Sequence, residues 1–144
     1  DYMCLDGTIP VSALPQVLRR IGELSREVGL EVANVFHAGD GNMHPILLFD
    51  ERDADQFKRT KQAGTEILQY CIEAGGAITG EHGVGMEKND LMPMLFTEDS
   101  LEMMERLIKV FNPDRRLNPG KILPTGKGCL EIRPIPMQHK KTDW

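Results

Sequence analysis

Two runs rich in β-branched and aromatic residues, Leu30 to Ala38 (LEVANVFHA) and Met43 to Phe49 (MHPILLF), stand on either side of Gly39-Asp40-Gly41-Asn42. Residues of that type supply the left-handed backbone that a tight reversal needs, so the segment predicts a β-hairpin in the middle of the chain. Pro45, inside the second run, predicts an edge strand or a bulge. Before the hairpin, Leu14, Val17, Leu18, Ile21, Leu24 and Val28 recur at three- and four-residue steps and form one helix face. Ser12 is its expected N-cap and Gly29 its C-terminal glycine. After the hairpin, Asp53 to Ala74 carries Phe57, Ala63, Ile67, Leu68 and Cys71 on one helix face and stops at Gly75-Gly76. Tyr2 to Cys4, extending toward Ile9, reads as a strand closed by Pro10, and Ala77 to Gly80 as a short strand. The order is strand, helix, strand, strand, helix, strand. It predicts an α+β fold of the ferredoxin-like, split βαβ kind, an antiparallel sheet with helices on one face. A further helix follows, capped by Thr97, with Leu101, Met104, Leu107, Ile108 and Phe111 inward and Asn112-Pro113 as its stop. The expected organisation is one domain over residues 1–125 and an irregular tail over 126–144.

A chain of 144 residues is the length of a single domain. With 17 Lys+Arg against 22 Asp+Glu, its net charge of −5 makes it a poor partner for nucleic acid or anionic lipid. No stretch approaches the ~20 apolar residues that span a bilayer. The opening has no signal-peptide pattern, and it begins at Asp1 rather than Met, as a fragment of a longer protein would. The three cysteines, Cys4, Cys71 and Cys129, are far apart and include no C-x-x-C pair. They read as reduced thiols, and a cytoplasmic location is expected.

Three of the four histidines, His37, His44 and His82, lie in or beside glycine-rich turns. A hairpin centred on Asp40–Gly41 would set His37 opposite His44, with Cβ atoms ~4.5–5.5 Å apart. Two imidazoles so placed converge on one metal ion, or else hydrogen-bond on a half-buried sheet face. Gly80-Glu81-His82-Gly83-Val84-Gly85 puts a carboxylate and an imidazole side by side where a strand ends, a favoured place for an active site. Its glycine order is the reverse of the dinucleotide fingerprint, and no phosphate-binding G-K-[ST] follows. His37 and His44 with one or both of Glu81 and His82 make a His₂-carboxylate set with an open position, the pattern of a catalytic metal site. The remaining residue is left to act as general base, and chain order does not say which of the two it is. Neighbours in extended chain point to opposite sides, so Glu81 and His82 are expected to do different work. His139 and Lys140-Lys141 read as a solvated tail, and Asn112 to Lys121 as turn chemistry.

The segments DGTIP, ANVFHAGDGNMHP, ITGEHGVG and LNPGK, in this order, resemble the C-terminal domain of the FAD-linked oxidases of the vanillyl-alcohol-oxidase type. Within that group the pattern is most similar to the FAD-linked subunit of bacterial glycolate oxidase. The resemblance implies a cap, or substrate, domain that works beside an FAD-binding domain of the same chain. It implies oxidation of a small 2-hydroxy acid and a place in an oxidase complex with other subunits, peripheral to the membrane through that complex. It further implies that His37, His44 and Glu81 bind a divalent metal, often zinc, and that His82 is the catalytic base. Asn42 would lie on the substrate side and Asn118 near the flavin. One position departs from the pattern: glycolate oxidase subunits commonly carry Arg where Val11 stands here. A face left open by the missing domain would favour a homodimer. Two other classes remain, a stand-alone His₂Glu metal hydrolase and a non-catalytic assembly module.

Overall fold

The structure, a computed structural model, describes residues 1–124. The tail expected over 126–144, with Cys129, His139 and Lys140-Lys141, lies outside the described residues. The sheet contains β1 (Tyr2–Cys4), β2 (Gly7–Thr8), β3 (Glu31–His37) and β4 (Asn42–Leu48). β4 is central, antiparallel to β3 on one side and to β1 and β2 on the other. β1 and β2 share one register: Cys4 pairs with Ile46 and Gly7 with Met43, so Leu5 and Asp6 run alongside Pro45 and His44.

Pro45 therefore sits in the middle of the sheet, neither at an edge nor in a bulge. A strand residue turns its N–H and C=O toward the same neighbour. The Pro45 carbonyl accepts from the Leu5 N–H at 2.9 Å, so the N–H that proline lacks would have met the Leu5 carbonyl. That carbonyl accepts instead from Nδ1 of His44, at 3.3 Å. The ladder is interrupted between β1 and β2, and a histidine side chain fills the gap.

Two helices, α1 (Leu14–Val28) and α2 (Ala54–Glu73), pack on the sheet face that carries Leu5, Met43 and Leu47. Val17, Ile21 and Leu24 of α1 meet Ala63, Ile67, Leu68 and Cys71 of α2 in this core, as the periodicity predicts. Arg20 of α1 donates to the Tyr70 hydroxyl of α2 at 2.7 Å. Asp53 caps α2 by accepting from the Asp55 and Gln56 amides, and Gly29 ends α1 with φ of 64°. Ser12 does not cap α1: Val11–Ala13 form a 3₁₀ turn, and the helix begins at Leu14 with Pro15 in its first turn. Proline there pre-sets the helical φ and needs no partner for its nitrogen.

Beyond α2, the expected strand Ala77–Gly80 shrinks to a single antiparallel bridge, Thr8 to Ala77. The Gly80 amide is taken by the Asp6 side chain and is lost to any ladder. Reading across the sheet gives β3, β4, β1/β2 and then Ala77, which is the split βαβ order. A short helix, α3 (Met92–Leu95), leads to α4 (Glu98–Phe111), capped by Thr97. Leu101 and Met104 of α4 reach the core, but Leu107 and Phe111, expected inward, are exposed, Phe111 by 80%. Ile108 is half-buried and Glu105 pairs with Arg115, so among the described residues it is the Leu107, Val110 and Phe111 side of the second half of α4 that stands uncovered.

Candidate functional site

The hairpin turns one residue earlier than its Asp-Gly signal suggests. The amides of Asp40 and Gly41 both donate to the His37 carbonyl, and Gly41 takes φ of 70°. Only glycine fits there, because a Cβ would stand 2.0 Å from the Ile9 carbonyl oxygen. His37 consequently faces Asn42, and His44 faces Val35. The direct opposition of the two histidines does not occur. The partner of His37 moves from 44 to 42, an even step, so both side chains stay on one sheet face as diagonal neighbours. Their ring centroids lie 5.5 Å apart at 87°.

This face is the one away from α1 and α2, and the Gly80–Gly85 loop folds onto it. His82 stacks on His44 with centroids 4.8 Å apart and planes within 10°. Oε1 of Glu81 stands among three imidazoles, 3.0 Å from Nε2 of His44, 3.7 Å from Nε2 of His37 and 3.9 Å from Nε2 of His82. Glu81 and His82 thus converge on one centre instead of pointing to opposite sides. The segment is not extended: the successive amides of Gly80, Glu81 and His82 all donate to the Asp6 carboxylate, which curls the chain around it. A carbonyl can only accept, so the contact with Leu5 makes Nδ1 the N–H side of His44 and leaves Nε2 aimed at Glu81.

Asp6 and Lys88 belong to this centre, and the sequence reading missed both. Asp6 is fully buried and also accepts from the Thr79 hydroxyl at 2.6 Å; the Lys88 ammonium, 6% exposed, lies 3.3 Å from the same oxygen. Burial pushes the Asp6 carboxyl upward. Hydrogen bonds from Thr79, Gly80 and Glu81 and the Lys88 charge outweigh it and hold the group well below the usual carboxylate range. The available signal for Asp6 was a carboxylate in the middle of a β-pattern. Nothing local marks Lys88, which stands in a polar turn. Cys4, on the same face, also approaches: its sulfur, with His44 and His82, forms a set of donor atoms within 4.8 Å of one another, as do Asp6, His44, Glu81 and His82. His37 belongs to neither set and reaches the centre through Glu81. The Cys71 thiol is remote, in the core, where burial raises it to about 11.

Asn42 is buried under Gly80, where a Cβ would come within 2.3 Å of its Oδ1, and that oxygen has no hydrogen-bond partner. Thr8, His37, Asp40, Asn42, Gly80 and Glu81 line an open depression of about 350 Å³ beside the histidines. A larger one, of about 560 Å³, lies at the far end of β4 between Asp1 and Phe49–Arg52 and includes none of this chemistry. Asn118 is exposed, with φ of 46° and its side-chain Oδ1 accepting from Lys121 Nζ. It is not part of the histidine cluster, but its segment is tied to the loop after His82. The Ile122 amide donates to the Gly85 carbonyl, and Asn89 Nδ2 to the Gly120 carbonyl.

Comparison with known proteins gives this geometry a context. A family model described as "FAD linked oxidases, C-terminal domain" matches residues 1–122. The chain is 48% identical over 139 residues to the glycolate oxidase subunit GlcD of Escherichia coli (strain K12), covering 96% of this chain and 28% of that protein. Against GlcD of Bacillus subtilis (strain 168) the identity is 38%, covering 81% and 25%. Against a D-lactate dehydrogenase of Archaeoglobus fulgidus it is 35%, covering 83% and 26%. The chain thus spans about a quarter of the length of the curated relatives it matches.

Proposed function

This chain belongs to the FAD linked oxidases, as their C-terminal domain, and from that premise we propose that it is the substrate-holding part of a flavin-dependent 2-hydroxy-acid oxidoreductase. The reading follows the names of its relatives, glycolate oxidase subunits and D-lactate dehydrogenases. The described residues carry no glycine turn opening a helix, since the Gly80–Gly85 loop runs into turns and the 3₁₀ segment Asn89–Leu91. The match to a C-terminal domain, spanning about a quarter of the relatives' length, supports leaving the phosphates of FAD to a separate FAD-binding domain of the same protein, with Asn118 approaching the cofactor from this side. FAD, when bound, supplies the two-electron oxidant.

The donor set fits a divalent cation, zinc among them. Nε2 of His44 is oriented by the Leu5 carbonyl, and Glu81 Oε1 and His37 Nε2 complete a His₂-carboxylate group. A cation held there supplies Lewis-acid stabilisation of a substrate oxygen. Electrostatics support it as well: two carboxylates, Asp40 and Glu81, line the depression, and an anionic hydroxy acid would be repelled without a balancing charge. His82 accepts the hydroxyl proton, with its ring held by the stack on His44. Asn42 lines the depression on the substrate side, with the Gly80 backbone packed over its carboxamide. Val11 begins the 3₁₀ turn beside the hairpin and offers no charge, so the substrate carboxylate is anchored by other groups.

The observation that carries this reading is the convergence of three imidazoles on one glutamate oxygen. The test uses the full-length protein, with flavin bleaching followed under a panel of D- and L-2-hydroxy acids. His82→Ala lowers kcat by ~10²–10⁴, and full turnover by that variant overturns the assignment of the base. His37→Ala or His44→Ala loses bound metal on elemental analysis; unchanged content overturns the ligand set. Ester hydrolysis with no flavin bleaching would favour a hydrolase, and neither activity an assembly module. Partner subunits of an oxidase complex, a homodimer and a cytoplasmic location peripheral to the membrane belong to the same proposal.

A further inference from the structure

The charge-bearing pair that the proposed chemistry does not use is Asp6 and Lys88. Oδ2 of Asp6 accepts from the Thr79 hydroxyl (2.6 Å), the Gly80 amide (2.8 Å), the His82 amide (3.1 Å) and Lys88 Nζ (3.3 Å), and Oδ1 from the Glu81 amide (3.2 Å). Lys88 Nζ also donates to the Asp6 backbone carbonyl at 2.9 Å. The Thr79 hydroxyl, spent on Asp6, accepts in turn from the Gly83 amide at 2.9 Å. Every link from Thr79 to Gly83 thus leads back to one carboxylate.

We propose that Asp6, with Lys88 as its counter-charge, is the positioning residue that sets Glu81 and His82 against His44, and that it is not itself a cation ligand. The proposal rests on the reading of the histidine centre given above. Its oxygens lie within 4.8 Å of donor atoms of His44, Glu81 and His82, and by distance alone Asp6 would count as a ligand. A carboxylate oxygen offers about two lone-pair directions; Oδ2, with four donors, has none left for an ion, and Oδ1 already accepts from the Glu81 amide. An ion at Asp6 would also stand beside a buried ammonium group. Successive amides converging on a point form a nest for an anion. Here the anion is the chain's own side chain, so the curl that turns Glu81 and His82 to the same side is built in before any ligand arrives. Lys88 keeps the buried carboxylate compensated, and removing either partner of such a pair leaves an uncompensated charge.

The experiment compares Asp6→Asn, Lys88→Met and the milder Thr79→Val in the full-length protein, with two readouts. The first is Mn(II) affinity, from the free-ion electron paramagnetic resonance signal. The second is hydrogen exchange at the amides of Gly80, Glu81 and His82. All three variants should bind Mn(II) more weakly, Asp6→Asn and Lys88→Met by ~10-fold or more, and all should exchange faster at those amides. Tighter Mn(II) binding by Lys88→Met overturns the proposal, because a ligand carboxylate released from its ammonium would bind better. Wild-type affinity and exchange in Asp6→Asn overturn it as well. Wild-type protein that binds no Mn(II) removes the metal reading, and the positioning claim is then decided by exchange: unchanged protection at the three amides in Asp6→Asn and Lys88→Met overturns it.

Discussion

A carboxylate with no contact to water is stable only when its surroundings replace what water supplied, and Asp6 meets that condition with five donors, one each from Thr79, Gly80, Glu81, His82 and Lys88. Because its folded value lies below the ordinary range, the unfolded chain takes up the proton first as the pH falls. The stabilisation is whole above the unfolded value, about 4, and is lost as the pH drops through the lower folded one. Asp6→Asn should therefore cost ~3–5 kcal/mol at neutral pH. In urea titrations the gap to wild type should narrow only below about pH 4. A gap independent of pH would show that charge is not what Asp6 contributes. Gly80 has a similar constraint of a steric kind, since any side chain there would displace the Asn42 carboxamide.

At the scale of elements, a proline in the central strand links backbone to chemistry. Besides the weak Cys4 thiol donor at 3.5 Å, the Leu5 carbonyl has two candidate donors, a residue-45 amide and the His44 ring, and proline removes the first. Pro45→Ala restores the competitor. The expected result is a strand paired without a break, with the His44 ring released and divalent-cation binding weakened, read by isothermal titration calorimetry. Unchanged affinity would mean the ring is oriented by something other than Leu5. The second half of α4 makes the opposite point. Val110 and Phe111, 71% and 80% exposed, contribute little to the core, and Phe111→Ser should shift stability by no more than about 0.5 kcal/mol. Leu47→Ala in the central strand should cost ~2–5 kcal/mol. Comparable losses from the two, measured by chemical denaturation, would place a hydrophobic contact on α4 that the described residues do not make.

Over the whole molecule, the histidine centre assembles from segments far apart in the chain: Asp6 before α1, the hairpin between the helices, and the loop with Lys88 beyond α2. The proposed chemistry also needs an electron acceptor, so this chain alone should produce no 2-oxo acid from a 2-hydroxy acid, and the full-length protein should. Turnover by the isolated chain, assayed as 2-oxo acid formed, would remove flavin from the reaction. Much of the arrangement was legible in one dimension because its causes are local. Residue periodicity sets which helix and strand faces are apolar. Gly29, Asp53 and Thr97 mark element ends by their own conformational and hydrogen-bonding preferences. His37 and His44 share a face in the expected register, and they keep it because the observed register differs by an even step. What folding decided depends on partners distant in sequence. The hairpin register follows from Gly41 packing against Ile9. The inward face of α4 depends on what lies beside it. The joint aim of Glu81 and His82 depends on a carboxylate more than seventy residues away. A residue announces its own torsional and polar preferences, but which distant group will satisfy them is settled only when the chain has closed on itself.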